Sequence, residues 1–237
     1  MENEGVVPLN TKTFDPKMAH SIDIYYFTMS PPSRSVLMLM RTLGVKHNIK
    51  IVNVLNGEQM KPEFLKINPL HTIPTINDNG FILSESIAIL KYLVDQYGKD
   101  DSLYPRDSKR GAIVTQRLSF ANTTLFPRFI STHIVLLFGG SVSDDDKKKF
   151  NDALEYLDNI LSDSKWMAGE NMTVADFAMI GILSNVEAAG VYDLTSFNDL
   201  WQWYEKMKTS LSSYGYEDIM QAGADAFGHM IKNKINS

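Results

Sequence analysis

Along the first hundred residues the apolar positions change period several times, and each change predicts an element. Ile22, Ile24 and Tyr26 alternate with Asp23 and Tyr25, the period-two pattern of a strand with one buried face. Behind Ser30-Pro31-Pro32, residues Val36, Leu37, Met40 and Leu43 fall at helical spacing. Proline is tolerated in the first turn of a helix, where its missing N–H has no intrahelical partner, so Ser30 reads as the N-cap. Ile49, Ile51 and Val54 alternate with Lys50 and Asn53 and predict an edge strand. Strand, helix and strand so close together predict a parallel pair joined by a right-handed crossover. A polar loop with Gly57 leads to a short helix over residues 61–67, ended by Asn68-Pro69.

In Leu70-His71-Thr72-Ile73-Pro74-Thr75-Ile76 a proline interrupts a β-branched run, which a sheet interior does not accept. A cis Ile73-Pro74 bond resolves the conflict, leaving residue 73 to show its N–H and C=O to a ligand. Asp78-Asn79-Gly80 predicts a hairpin into Phe81-Ile82-Leu83, and Ser84-Glu85-Ser86 opens a helix carrying Ile87, Leu90, Leu93 and Val94. The order β-α-β-α-β-β-α implies an α/β layer with a mixed sheet.

After a linker at residues 99–105 the pattern becomes wholly helical. Residues 110–137 carry apolar positions at helical spacing with Pro127 as an expected kink. Ser143 with three acids opens a helix through Leu154, Leu157 and Leu161. Thr173-Val174-Ala175-Asp176 is a capping box, and helices over 197–211 and 217–232 follow. The expected division is a flexible extension at residues 1–20, an α/β domain at 21–99, a linker at 100–108 and a helical domain at 109–237.

Composition narrows the chemistry. The 237 residues carry a net charge of −5 and are 44% hydrophobic, so they offer no electrostatic footprint for nucleic acid or anionic lipid. With no cysteine, disulfides, thiolate metal sites and a cysteine nucleophile all drop out, and any thiol must come with a ligand. The longest apolar runs are too short to span a bilayer, and the N-terminus lacks a hydrophobic signal core, which points to a cytoplasmic protein without membrane or metal partners. The 12 methionines read as adaptable core packing.

Ser30 supports two readings. One is an ordinary helix cap. In the other, its hydroxyl stands where a strand meets the positive end of a helix dipole, a place that favours an anion. With no adjacent base the hydroxyl serves better as a hydrogen-bond donor to a bound thiolate than as a nucleophile.

A family likeness rests on an ordered set of segments: Tyr25-Tyr26 with Ser30 and Pro32-Ser33-Arg34-Ser35-Val36; Lys61 to Pro69; His71-Thr72-Ile73-Pro74-Thr75; Glu85-Ser86; Ser102-Leu103-Tyr104-Pro105; Gln116-Arg117-Leu118; and Thr173-Val174-Ala175-Asp176. In these the chain resembles the cytosolic glutathione transferases, most of all the insect delta and epsilon classes. The resemblance implies a thioredoxin-like N-terminal domain, an all-helical C-terminal domain, a homodimer, and glutathione as co-substrate. It implies that Ser30 holds the glutathione sulfur, that the backbone of Ile73 before Pro74 pairs with the cysteinyl part, and that Glu85 and Ser86 take the γ-glutamyl end. His71 reaches the glycyl end, where Gln59 can still donate to the carboxylate, and Thr72 belongs to the same glutathione site. The second substrate, a hydrophobic electrophile, is expected against Pro32, Phe126, Phe129, Ile130, Leu137 and Phe227, with His133 as a polar group at the rim. Two positions depart from the family pattern: Gln59 replaces a histidine, and Ile87 replaces a cation after Glu85-Ser86. The implied activity is conjugation of the glutathione thiolate to such electrophiles, in detoxification or endogenous metabolism. The competing reading is a carrier of hydrophobic ligands that keeps the fold without catalysis.

Overall fold

The computed structural model of the protein describes residues 20–236. The extension expected over residues 1–20 therefore lies, as far as residue 19, outside the described residues. Strand β1 (Ile22–Tyr26) runs into helix α1 (Pro31–Leu43), and β2 (His47–Ile51) returns parallel to β1, with Ile24 opposite Ile49. A short helix α2 (Pro62–Leu65) precedes the hairpin of β3 (Thr75–Asp78) and β4 (Phe81–Ser84), and α3 (Ser86–Tyr97) follows. Sheet order is β2-β1-β3-β4, with β3 antiparallel to β1. Asn79 (φ 52°) and Gly80 (φ 94°) make the hairpin turn in the left-handed region that Asn and Gly tolerate best. Ile22 and Ile24 are fully buried, and α1 packs on α3.

The second strand differs from expectation. It spans His47–Ile51, and Val54 lies in the 3₁₀ turn Val54–Asn56. Ile49 faces the same way as buried Ile24, but among the described residues it sits on the sheet edge with no strand beyond it and stays 43% exposed.

The helical part begins with one continuous rod over residues 108–137: α4 (Ser108–Phe120), a π segment (Ala121–Leu125), α5 (Phe126–Phe129), a second π segment (Ile130–Ile134) and α6 (Val135–Leu137). The irregularity expected at Pro127 takes the form of a widened turn. Just before the proline, the Phe126 N–H reaches back five residues to Ala121 C=O. Helices α7 (Asp144–Ser162), α8 (Val174–Ala189) and α9 (Asn198–Leu211) follow, and a π segment (Glu217–Gln221) leads into α10 (Ala222–Ile235).

Helix α8 is buried along almost its whole length and forms the axis of this half. Its N-terminus carries the expected capping box, and Asp176 does more than close it. The buried carboxylate accepts from Thr173 N–H at 2.8 Å, Met167 N–H at 2.9 Å and the Trp203 indole at 2.9 Å. One acid thereby ties the start of α8 to the preceding loop and to α9. Where α8 crosses α1 the contact is too close for any side chain at Gly181: a Cβ there would stand 2.7 Å from Pro31 C=O. Among the described residues, no helix is long and apolar enough to cross a membrane.

Candidate functional site

At the C-terminal end of β1 the chain turns through Phe27, Thr28 and Met29 and enters α1 at Ser30. Ser30 has extended backbone (φ −77°, ψ 114°), and its Oγ accepts from Ser33 N–H at a long 3.4 Å. The capping bond uses a lone pair only, which leaves the hydroxyl proton available to donate. Ser30 opens onto a cavity of about 300 Å³ between the sheet end and the helical rod. Ile73 lines the same cavity, so the residue before the proline and the serine at the helix start face one space. The Ile73-Pro74 bond is cis, and Ile73 lies ahead of Thr75, the first residue of the β3 ladder.

One buried side chain holds this turn, and by sequence alone it marks only the end of a helix. Asn68 donates to Thr72 C=O, Thr72 Oγ1 and Thr75 Oγ1, each at 3.0 Å, and accepts from Leu70 N–H at 3.1 Å. His71 is exposed and sits at φ 49°, a turn conformation uncommon for a residue with a Cβ. Thr72 is exposed as well. Gln59 lies on the 3₁₀ turn Glu58–Met60, where its Oε1 is buried with no hydrogen-bond partner among the described residues.

Between β4 and α3, Glu85 adopts φ 67°, ψ 107° with an exposed side chain that makes no capping bond. Holding a non-glycine residue there costs about 1–3 kcal/mol, the kind of strain concentrated at functional positions. The Glu85 carboxylate therefore takes no part in capping the helix it precedes. Ser86 begins α3 and, together with Ile87, Asn122 and Phe126, lines a second, much smaller cleft of about 40 Å³. Phe126 borders both spaces.

The wall of the large cavity is apolar. Of the expected residues, Phe126, Phe129, Ile130, Leu137 and Phe227 line it. Ring centroids of Phe129 lie 6.1 Å from Phe126 and 5.5 Å from Phe227. Phe27, Met29, Val54, Leu55, Ile134 and Phe138 join Pro31 in the lining, and the sequence pattern assigns none of these six to the wall. Phe27 and Met29 follow directly on β1, so the strand pattern alone pointed near them. The other four arrive through folding of distant segments. Ser30 brings the one polar side chain among the described lining residues.

Two expected wall residues lie elsewhere. Pro32 borders the small cleft with Ser86, because consecutive residues in the first turn of α1 point about a hundred degrees apart and Pro31 takes the cavity side. His133 is no rim group: it is fully buried behind the wall. Its ring stacks on Phe129 at 4.8 Å and contacts Phe150 and Tyr192, while Nδ1 meets Thr132 Oγ1 at 2.8 Å and Nε2 has no partner among the described residues. Burial pushes its pKa down to about 3, so the imidazole is neutral. Phe129, four residues back on the rod, together with Phe150 on α7 and Tyr192 beyond α8 set this, and two of those three are distant in sequence.

Comparison with known proteins agrees with this architecture. Residues 24–101 match the model of the glutathione S-transferase N-terminal domain, and residues 141–214 match that of the C-terminal domain. The chain is 39% identical over 213 residues to glutathione S-transferase D7 of Anopheles gambiae, covering 90% of this chain and 97% of that one. Among solved structures, the Bombyx mori glutathione transferase BmGSTD1 superposes with a TM-score of 0.86 at 43% identity, over 89% of this chain and 98% of that one. A delta-class glutathione transferase of Nilaparvata lugens gives 0.85 at 44% identity, over 90% and 99%. With a mixed four-stranded sheet ahead of an all-helical half, and identity of this extent along nearly the whole length, the chain belongs to the glutathione S-transferase family.

Proposed function

We propose that the protein conjugates the thiolate of glutathione to apolar electrophiles, with Ser30 donating a hydrogen bond to the sulfur. The observation that carries this reading is a lone hydroxyl, at the N-terminus of a 13-residue helix, opening into a cavity whose other described lining side chains are apolar. A thiol ionises near pH 8.5 in water, and each pKa unit corresponds to about 1.4 kcal/mol. A hydrogen bond to a charged acceptor contributes about 1.5–3 kcal/mol, so Ser30 with the helix dipole suffices to hold a thiolate near neutrality. The apolar wall takes the second substrate and excludes water, and the chemistry is then proximity plus a stabilised nucleophile.

In this reading the tripeptide lies along the turn of residues 71–74, its cysteinyl backbone pairing with Ile73 as an added strand would. Ser86 and the N–H groups of the first turn of α3 receive the γ-glutamyl carboxylate, and the uncapped Glu85 carboxylate receives its ammonium. His71, Thr72 and Gln59 serve the glycyl end, where the Gln59 amide nitrogen can donate to the carboxylate without bringing charge. The glutathione-binding part is residues 21–99, joined through residues 100–108 to a helical part at 109–237. A homodimer in the cytosol is the proposed state, and exposed apolar side chains at Leu70, Phe81 and Ile82 give it surface.

The test is glutathione conjugation to 1-chloro-2,4-dinitrobenzene, with and without the Ser30→Ala substitution. The unsubstituted protein is expected to be active and Ser30→Ala to lose at least about tenfold at pH 6.5, the loss expected when a hydrogen bond to the sulfur is removed. An Ala variant with undiminished rate removes Ser30 from the mechanism.

A further inference from the structure

The turn that carries Ser30 is not held by its own domain alone. Arg34, four residues further on, is fully buried and reaches across to the helical half. Its Nη1 donates to Met220 C=O at 2.6 Å, and its Nη2 donates to Gly181 C=O at 3.1 Å and to Asn185 Oδ1. Asn185, on α8 and also fully buried, uses the other end of its amide on the active turn: Nδ2 donates to Met29 C=O at 3.2 Å. Met29 is the residue before Ser30, and both line the cavity. The circuit closes through the backbone, where Arg34 N–H donates to Ser30 C=O at 3.1 Å.

The packing around this circuit allows no slack. A Cβ at Gly223 on α10 would stand 2.4 Å from Thr28 C=O and 2.6 Å from Arg34 Cδ. Among the described residues, the guanidinium accepts this burial without a hydrogen-bonded carboxylate. Tyr26, Tyr204, Tyr216 and Asp225 are the ionisable groups acting on it, and burial lowers its pKa to about 10, so it keeps its charge. Its Nε finds no partner among the described residues. A buried cation with an orphaned donor is a costly way to join two helices, for which apolar packing would do as well. What the arrangement gives that apolar packing does not is a directional hold on the carbonyl of residue 29.

We infer that Asn185, oriented by Arg34, is a positioning residue for catalysis: it fixes the Met29 carbonyl, and through it the direction in which the Ser30 hydroxyl points at the bound sulfur. This rests on the reading of Ser30 as the sulfur's donor. A group held from the far domain sets the geometry at the reacting atom, and misplacement by about 1 Å is enough to cost orders of magnitude in rate.

The experiment uses Asn185→Leu, which removes both hydrogen bonds at similar volume, and Asn185→Asp, which keeps the acceptor for Arg34 but cannot donate to Met29. Leu157→Ala, in the core of α7 and outside the circuit, serves as the control for lost stability. The readouts are melting temperature, kcat and KM for glutathione, and the pH midpoint of the ultraviolet thiolate absorbance of bound glutathione. Both Asn185 variants are expected to raise that midpoint by at least about half a unit and to lower kcat about tenfold at pH 6.5, with a smaller change in KM. Leu157→Ala is expected to melt earlier with the midpoint unmoved. If Leu does not fold, Asp alone carries the test. Asn185 variants that melt earlier yet keep the wild-type midpoint and kcat would overturn the inference, leaving Asn185 a structural tie. Absence of a thiolate band in the unsubstituted protein would instead overturn the glutathione reading, and this inference with it.

Discussion

Replacing His133 with Phe tests whether that imidazole is core or chemistry. The ring is fully buried among Phe129, Phe150 and Tyr192, and its pKa falls from 6.5 to about 3 because burial penalises the imidazolium. The sign follows from proton counts. Between pH 6.5 and 3 the unfolded chain carries a proton on this residue and the folded chain does not, so folded stability falls as pH falls through that window. Two pKa values 3.5 units apart correspond to at most about 5 kcal/mol, of which about 2 kcal/mol is already lost at pH 5. For a chain of this size that is about 4–8 °C in Tm. Carboxylates titrate over part of the same range, so the informative quantity is the difference between the wild type and His133→Phe. Phe keeps a ring in the stack, cannot take the proton, and removes the unpartnered Nε2. Urea unfolding at pH 5 and pH 7 is expected to show the wild type losing about 2 kcal/mol more than the variant between the two conditions. Conjugation at pH 7 should persist in the variant. Parallel pH dependences in the two proteins would refute the burial argument, and loss of activity with intact folding would return His133 to the chemistry.

Two buried carboxyl groups give further predictions. Asp176→Ala removes a carboxylate accepting three bonds at 2.8–2.9 Å from Thr173, Met167 and Trp203, and is expected to cost about 3–5 kcal/mol by urea unfolding, with near-ultraviolet dichroism reporting a loosened Trp203. Asp78 lies at the end of β3. Its burial works to raise its pKa, but hydrogen bonds from Tyr97, Tyr92 and His20 outweigh this and leave the carboxyl below its usual range. A depressed carboxylate stabilises the fold at neutral pH, and that contribution disappears as pH falls below about 4 through the folded value. Asp78→Asn should therefore be less stable than wild type at pH 7 by about 1–3 kcal/mol, with the gap closing in acid, and equal stability at pH 7 would contradict the network.

How much of the site was legible depended on whether the constraint was local. Ser30 before Pro31-Pro32, the proline inside the run at 70–76, Asn79-Gly80 and the Thr173–Asp176 box each carry their own backbone consequence, and each appears where the pattern put it. The exposed Ile49, the placement of Pro32 and the burial of His133 could not be read the same way. Each depends on what packs alongside, and an apolar or aromatic neighbour at helical spacing looks the same whether it faces a cavity or a core.

The sequence by itself determined the order of strands and helices, the serine at a helix start and the turn before Pro74, because these follow from φ restriction, period and missing donors within a few residues. Only the tertiary structure decided that the helical rod supplies the cavity wall, that His133 stands behind it, and that Arg34 and Asn185 hold the Ser30 turn from across the molecule. Those outcomes rest on contacts between residues as much as 186 positions apart, and no local spacing encodes them.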